Sequence, residues 1–209
     1  MTACDLLHKV RKILVNAASK LRRLLRYDWP LHFSLLLTDW LPDNVIFLRL
    51  RGLLARPFFA ECGHNLRLGR KITFYNPSRI RLGNDVYIAY GCWLMAGAEI
   101  DIGDEVLLGP YCVVVSSSHT RVGGSFRFGA PELRPIRIGR GSWLGAHTTV
   151  VAGATVGEGS LVGANSVVSG VIPPGVVAAG APARVIRPLV EGSTGSNPIT
   201  RGSFPGRCE

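Results

Sequence analysis

The sequence predicts a mainly β chain wound as a parallel β-helix, with a helical cap at its N-terminal end and one loop ejected from its wall. Three observations predict this. Between Ile138 and Ile172 aliphatic residues recur every six positions, at Ile138, Leu144, Val150, Val156, Val162 and Val168. Amphipathic helices repeat every three or four residues and half-buried strands every two, so an unbroken period of six belongs to neither alone. It suits a solenoid in which each unit supplies one flat side and one corner, and three units close a coil around a shared core. The second observation is composition: 25 Gly against 2 Met and few aromatics suits a turn-rich β protein. The third is the stretch 120–135, which carries Gly123, Gly124, Gly129, Pro131 and Pro135 and no trace of the repeat.

Taken in order, the chain begins with an apolar stripe at helical spacing, Leu6, Leu7, Val10, Leu14, Leu21, Leu24 and Leu25. Lys9, Arg11, Lys12, Lys20, Arg22, Arg23 and Arg26 fall mostly between these residues, so the segment reads as a basic amphipathic helix. Two roles are open for it: packing on the end of the β-helix or on a neighbouring subunit, or peripheral membrane association through residues 4–26. Asp28-Trp-Pro interrupts the stripe, and LHFSLLLTDW is a second apolar segment too short to span a bilayer. Val45 to Phe59 continues as helix, with Arg49, Arg51 and Arg56 expected on one side. Residues 1–60 thus form a helical cap.

Turns and short β runs begin near Cys62, and the β-helix occupies 61–189. A regular coil of 18 residues would place the match to Leu82-Gly83 at residue 100, but Ile102-Gly103 lies 20 residues on, which predicts a two-residue insertion at a corner. In each unit one aliphatic side chain points inward, and the small residues, Gly139, Gly145, Gly157 and Gly163 among them, serve the corners. The hexads run through Ile102, Leu108 and Val114 to Ser116-Ser-Ser-His119. The loop 120–135 follows, and Pro173-Pro174-Gly175 ends the repeat. Residues 190–209 read as a flexible tail.

The net charge of +10 is uneven: 13 Lys and Arg face 5 Asp and Glu in residues 1–71, against 11 and 9 afterwards. Such a bias serves membrane surfaces, nucleic acids or solubility, and no zinc-finger, RNA-recognition or basic-zipper motif accompanies it, so no nucleic-acid partner is expected. No run of about 18 apolar residues is present, and the basic residues threaded through the N-terminus are unlike a secretory signal. Cys4, Cys62, Cys92, Cys112 and Cys208 are odd in number and scattered, which points to a reducing, cytoplasmic setting, with the inner face of the membrane as the place a basic helix would hold it. Cys92 and Cys112 are expected in the core or wall. The five histidines, His8, His32, His64, His119 and His147, show no ligand spacing, and catalytic zinc needs three protein ligands, so no metal is expected. His147 reads as a wall or intersubunit residue.

The hexads, ending in Gly180-Ala-Pro-Ala-Arg-Val-Ile-Arg187, resemble those of the hexapeptide-repeat acyltransferases, in the branch of sugar O-acetyltransferases that includes galactoside, maltose and polysaccharide-modifying enzymes. The resemblance covers about Ile80 to Leu189. It implies a left-handed β-helix, acetyl-CoA as acyl donor, and a homotrimer with active sites at subunit clefts, where His119 and Trp143 come from neighbouring chains. Similarity places the catalytic histidine at His119, ahead of the extended loop, where an imidazole can take a proton from a sugar hydroxyl. The Ala146 N–H matches the oxyanion donor. Trp143 matches the tryptophan beside the pantetheine arm, Ala164, Ser169 and Gly170 the small-residue contacts to that arm, and Arg184 and Arg187 the basic residues near the nucleotide end.

Two departures bear on the acceptor. Ser169-Gly170 stands where galactoside- and maltose-acetylating relatives have a lysine after a threonine, and their acceptor-binding asparagine and aspartate fall near Ala89 and Gly97, which offer no polar side chain. These departures count against a free disaccharide, and the acceptor the resemblance implies is a sugar hydroxyl in exopolysaccharide, lipopolysaccharide or another glycan. The alternatives are a small acceptor (serine, an amino sugar or an antibiotic) or a non-catalytic scaffold.

Overall fold

A computed structural model describes residues 3–190, so the tail expected over 190–209 lies, from residue 191 onward, outside the described residues. Three parallel sheets dominate, of six, seven and five strands, here sheets A, B and C. The chain visits them in rotation, each coil laying one short strand on each sheet. Residue partners such as Arg137 with Thr155, Trp143 with Leu161 and Thr149 with Val167 lie 18 residues apart, the coil length the hexads require.

Each hexad turns two side chains inward rather than the one expected. Ile138, Leu144, Val150, Val156, Val162 and Val168 are buried, and so are Ser142, Thr148, Ala154, Ser160 and Ser166, four positions after each of the first five. The second position is small because it sits where the wall bends. A hydroxyl there needs a partner: Ser142 Oγ donates to Gly157 O at 2.8 Å, Thr148 Oγ1 to Gly145 O at 2.7 Å and Ser160 Oγ to Pro173 O at 2.7 Å. Cys92 and Cys112 are wholly buried in the same core. Glycine at the corners answers a contact between coils. A Cβ on Gly83 would stand 2.5 Å from Asp104 N, and one on Gly145 2.6 Å from Ala164 N.

The insertion inferred after Leu82 is present and recurs. Glu61 pairs with Arg81 and Arg81 with Asp101, both 20 residues on. Asp101 pairs with Arg137, 36 on, and Thr155 with Val171, 16 on. The steps from sheet A to B and from B to C stay at six residues throughout, as from Arg81 to Tyr87 to Trp93 and from Arg137 to Trp143 to Thr149. Every change in coil length therefore falls on the edge between sheets C and A, and the long loop leaves from that edge.

The N-terminal helices are α1 (Ala3–Arg23), α2 (Trp29–Thr38) and α3 (Val45–Ala55), with a π-helical turn, Leu24–Asp28, joining the first two. Asn44 starts α3 by accepting from Phe47 N at 3.1 Å, an N-cap. Leu31 of α2, Ala55 of α3 and Phe59 close the end of the core. The three arginines expected on one side of α3 are not on one side: Arg49 and Arg56 are exposed, whereas Arg51 is buried. Arg51 donates to Asp43 Oδ1 at 2.7 Å, Leu41 O at 2.6 Å and Leu68 O at 3.1 Å, tying the cap to the first coil. Gly52 and Ala55, one and four residues after Arg51, share its buried face and are the available signal. No helix among the described residues is long and apolar enough to cross a membrane.

Candidate active site

Trp143 lies on sheet B between Leu107 and Leu161, its ring half-exposed on the outer face of the solenoid. The chain then turns through Gly145, Ala146 and His147 at the B–C edge. With no Cβ on Gly145 the next coil stacks closely, and Asn165 N donates to Ala146 O at 2.9 Å, so the Ala146 and Ala164 turns stand one above the other. Among the described residues the Ala146 N–H has no acceptor. Sheet B is completed by an antiparallel hairpin, Val176–Gly180 with Ala183–Pro188, which sets Arg184 opposite Ala179 and Arg187 opposite Val177. Among the described residues their guanidinium groups donate only to the Ala183 and Pro188 carbonyls, at 3.1 and 3.2 Å, which leaves most of their donors for a ligand.

His119 is on a different edge. It was expected just ahead of a loop starting at Thr120, but the structure places it within a β-hairpin: Ser117–His119 pairs antiparallel with Pro131–Leu133, and His119 faces Pro131. The ejected segment is thus anchored by a strand pair, and Leu133 and Ser117 lie over Gly97. The imidazole is exposed, with no hydrogen bond or ion pair among the described residues. Ser169 and Gly170 occupy the same C–A edge two coils further on, exposed, with Gly170 O accepting from Thr155 N at 3.0 Å.

The residues singled out in the sequence therefore divide into two groups. Trp143, Ala146, Ala164, Arg184 and Arg187 share the B side and the B–C edge; His119, Ser169 and Gly170 share the C–A edge. One chain does not bring the groups together. The phase of the repeat contains this division, since Ala146 and Ala164 are one coil apart whereas Gly170 is a further hexad on, at the next corner.

His147, read from the sequence as a wall or intersubunit residue, belongs to an aromatic column that the sequence reading did not contain. His147 is exposed and stacks on Tyr111, ring centroids 5.1 Å apart and 12° from parallel, with Tyr90 edge-on to Tyr111 at 5.5 Å and Arg70 over Tyr90. This aromatic column continues the B–C edge below Ala146. Its signal is positional, Tyr90, Tyr111 and His147 all falling in B–C turns of successive coils. The loop carries exposed Phe126 and Phe128, with Arg127 over the latter ring. A broad surface depression of about 760 Å³ lies elsewhere, on the sheet A face. Its arginines are paired, Arg81 with Asp101 at 3.1 Å and with Glu99 outside the depression at 3.0 Å, and Arg140 with Glu105, also outside it, at 3.1 Å. It contains none of the site residues. Ala89 is buried in the wall. Among the described residues no three His, Cys, Asp or Glu side chains converge.

The described residues thus form a β solenoid with a histidine on an ejected hairpin and cations at the far end of its wall. Residues 135–170 match the family described as bacterial transferase hexapeptide (six repeats). The galactoside O-acetyltransferase of Escherichia coli (strain K12) is 34% identical over 139 residues, 66% of this chain and 68% of that enzyme. A maltose O-acetyltransferase from Clostridium difficile 630 superposes with a TM-score of 0.71 at 27% identity, over 80% of this chain and 89% of the other. A hexapeptide-repeat acetyltransferase from Vibrio cholerae, solved with acetyl coenzyme A, superposes with a TM-score of 0.69 at 28% identity, over 78% and 87%. The chain belongs to the hexapeptide-repeat acetyltransferases and is an acyltransferase by fold and by kinship.

Proposed function

We propose that this chain transfers the acetyl group of acetyl-CoA to a sugar hydroxyl of a glycan under construction, with His119 as general base. The observation that carries the reading is His119 itself, an exposed and unengaged imidazole held by paired strands at the root of the one loop the solenoid ejects. The B–C edge fits the donor. Half-exposed Trp143 and exposed Leu107 offer an apolar surface to a flexible arm, and Arg184 and Arg187 offer donors to phosphate at its end.

In the reaction the imidazole accepts the proton of the attacking hydroxyl, the oxygen bonds to the thioester carbonyl carbon, and the carbon–sulfur bond breaks. The protonated imidazole returns its proton to the departing thiolate, so ester and free thiol form without an acyl-enzyme. The Ala146 N–H, which meets no acceptor among the described residues, holds the negative charge that develops on the carbonyl oxygen. Because the two groups of site residues lie on different edges, a complete site draws His119 from one chain and Trp143 with Ala146 from the next, as in a cyclic homotrimer. Exposed Phe126 and Phe128 and the cations Arg121 and Arg127 near His119 give the acceptor side an open, aromatic and basic surface suited to a polymer. The basic helices support work at the cytoplasmic face of a membrane.

His119→Ala should lower turnover by about 10²- to 10⁴-fold while coenzyme A binding stays close to wild type. Retained turnover would overturn the assignment. Thioester cleavage measured with glycan acceptors, with serine or amino sugars, and with no acceptor separates the substrate classes; stimulation by the small acceptors alone would replace the glycan with a small molecule, and no cleavage with any of them would leave a scaffold.

A further inference from the structure

Helix α2 is apolar on two opposite faces. Leu31 is buried and Leu35 packs against the core, which accounts for one face. The other carries Trp29, Phe33 and Leu36, each more than half exposed, and exposed apolar side chains continue beyond it, at Trp40 just past one end and at Leu25 in the π-helical turn and Leu21 on α1 at the other. Spacings of three and four residues keep Trp29, Phe33 and Leu36 on one side of α2, and Leu21, Leu25 and Trp40 extend that exposed apolar surface beyond its ends. They make an uncovered ridge about 29 Å long, extended further by exposed Leu14. Trp40 Nε1 donates to Leu37 O at 2.9 Å, which holds its ring against the helix end.

Along the α1 end of this ridge the charge is of one sign. Residues 11–26 contain Arg11, Lys12, Lys20, Arg22, Arg23 and Arg26 and no acidic residue. Among the described residues none of the six forms an ion pair, and Arg22 and Arg26 flank Leu21 and Leu25 in a shallow apolar depression. A second copy of the chain laid on the ridge would bring two such cationic segments side by side. An anionic lipid surface instead takes the apolar ridge into its interfacial layer and meets the cations with headgroup charge, and tryptophan favours that layer.

We propose that the α1–α2 ridge is a docking surface for an anionic membrane, on which the helix lies in the plane of the interface. The inference stands apart from acetyl transfer and is tested without substrates. The full chain is sedimented with phosphatidylcholine vesicles, with and without about a third phosphatidylglycerol, at low and high salt. The wild type should partition onto the anionic vesicles, and salt should weaken it. Arg22→Gln/Arg26→Gln should reduce that partition about 25-fold, each cation near the surface being worth a factor of about five. Phe33→Ser/Leu36→Ser should reduce it more than tenfold. Both pairs are exposed, and far-UV circular dichroism establishes that each variant is folded. Equal affinity for neutral and anionic vesicles, no partition of the wild type, or an unaffected ridge variant would overturn the proposal. A ridge variant that loses self-association, with no vesicle binding by the wild type, would assign the surface to a second copy.

Discussion

Arg51→Met isolates the link between the helical cap and the solenoid. Methionine matches the length of the arginine stem and removes every donor. Arg51 is 1% exposed, and its loss leaves the carbonyls of Leu41 and Leu68 without their donor at 2.6 and 3.1 Å. A buried acceptor left unpaired costs about 1 to 3 kcal/mol. The ion pair with Asp43 adds less than a fully buried one would, because Asp43 keeps 29% of its side chain in contact with water and retains Arg70 at 3.7 Å. Together these give about 3 kcal/mol, or a melting temperature lower by about 6 to 12 °C for a chain of this size. Thermal and urea unfolding followed by circular dichroism measure it, with Arg49→Met, on the exposed side of α3, as a control expected within about 0.5 kcal/mol of wild type. If Arg51→Met melts within about 2 °C of wild type, the cap is not held to the first coil through this side chain.

Two further outcomes follow from contacts described above. Gly83→Ala would place a Cβ 2.5 Å from Asp104 N in the next coil and should destabilise by about 1 to 3 kcal/mol in urea unfolding, whereas Gly170→Ala, with nothing within 4 Å of its Cβ, should leave stability unchanged. Asp39 is paired with Lys71; burial alone would raise its carboxyl, but hydrogen bonds from Lys71 and the Lys71 and Arg70 charges hold it below its usual 3.8. A depressed carboxyl stabilises the fold above its unfolded value and loses that contribution as pH falls through the folded one. The stability gap between wild type and Asp39→Asn should therefore be constant near neutrality and close below about pH 3.8; a gap that persists in stronger acid would show that the charge pair is not its source.

The regular part of the molecule was legible because one physical constraint repeats. Each coil can admit only side chains of set size at set places, so Ile138, Leu144 and Val150 announce the period. The second inward position was harder to read, since a serine or threonine looks like a surface residue until its hydroxyl is seen bonded to a carbonyl of its own or a neighbouring coil. Arg51 was misplaced for the opposite reason: arginine is buried only when a specific set of acceptors surrounds it, and those acceptors come from Leu41 and Leu68, far along the chain. His119 was found by likeness to a family, but its place within a strand pair depends on Pro131–Leu133 returning to meet it. The division of the site between two edges was present in the arithmetic of the repeat and needed only the three-sided cross-section to become visible.

All variation in coil length lies along the C–A seam, while the steps through sheets A, B and C stay at six residues. A chain built this way has one margin on which it can be rewritten. Segments of different length can be spliced in at the seam without shifting the phase of the other two sides, so the B–C edge and the C–A edge are free to diverge separately. Exchanging residues 120–130 for an unrelated loop, with Ser117–His119 and Pro131–Leu133 kept as the splice points, is the natural route to retargeting this scaffold.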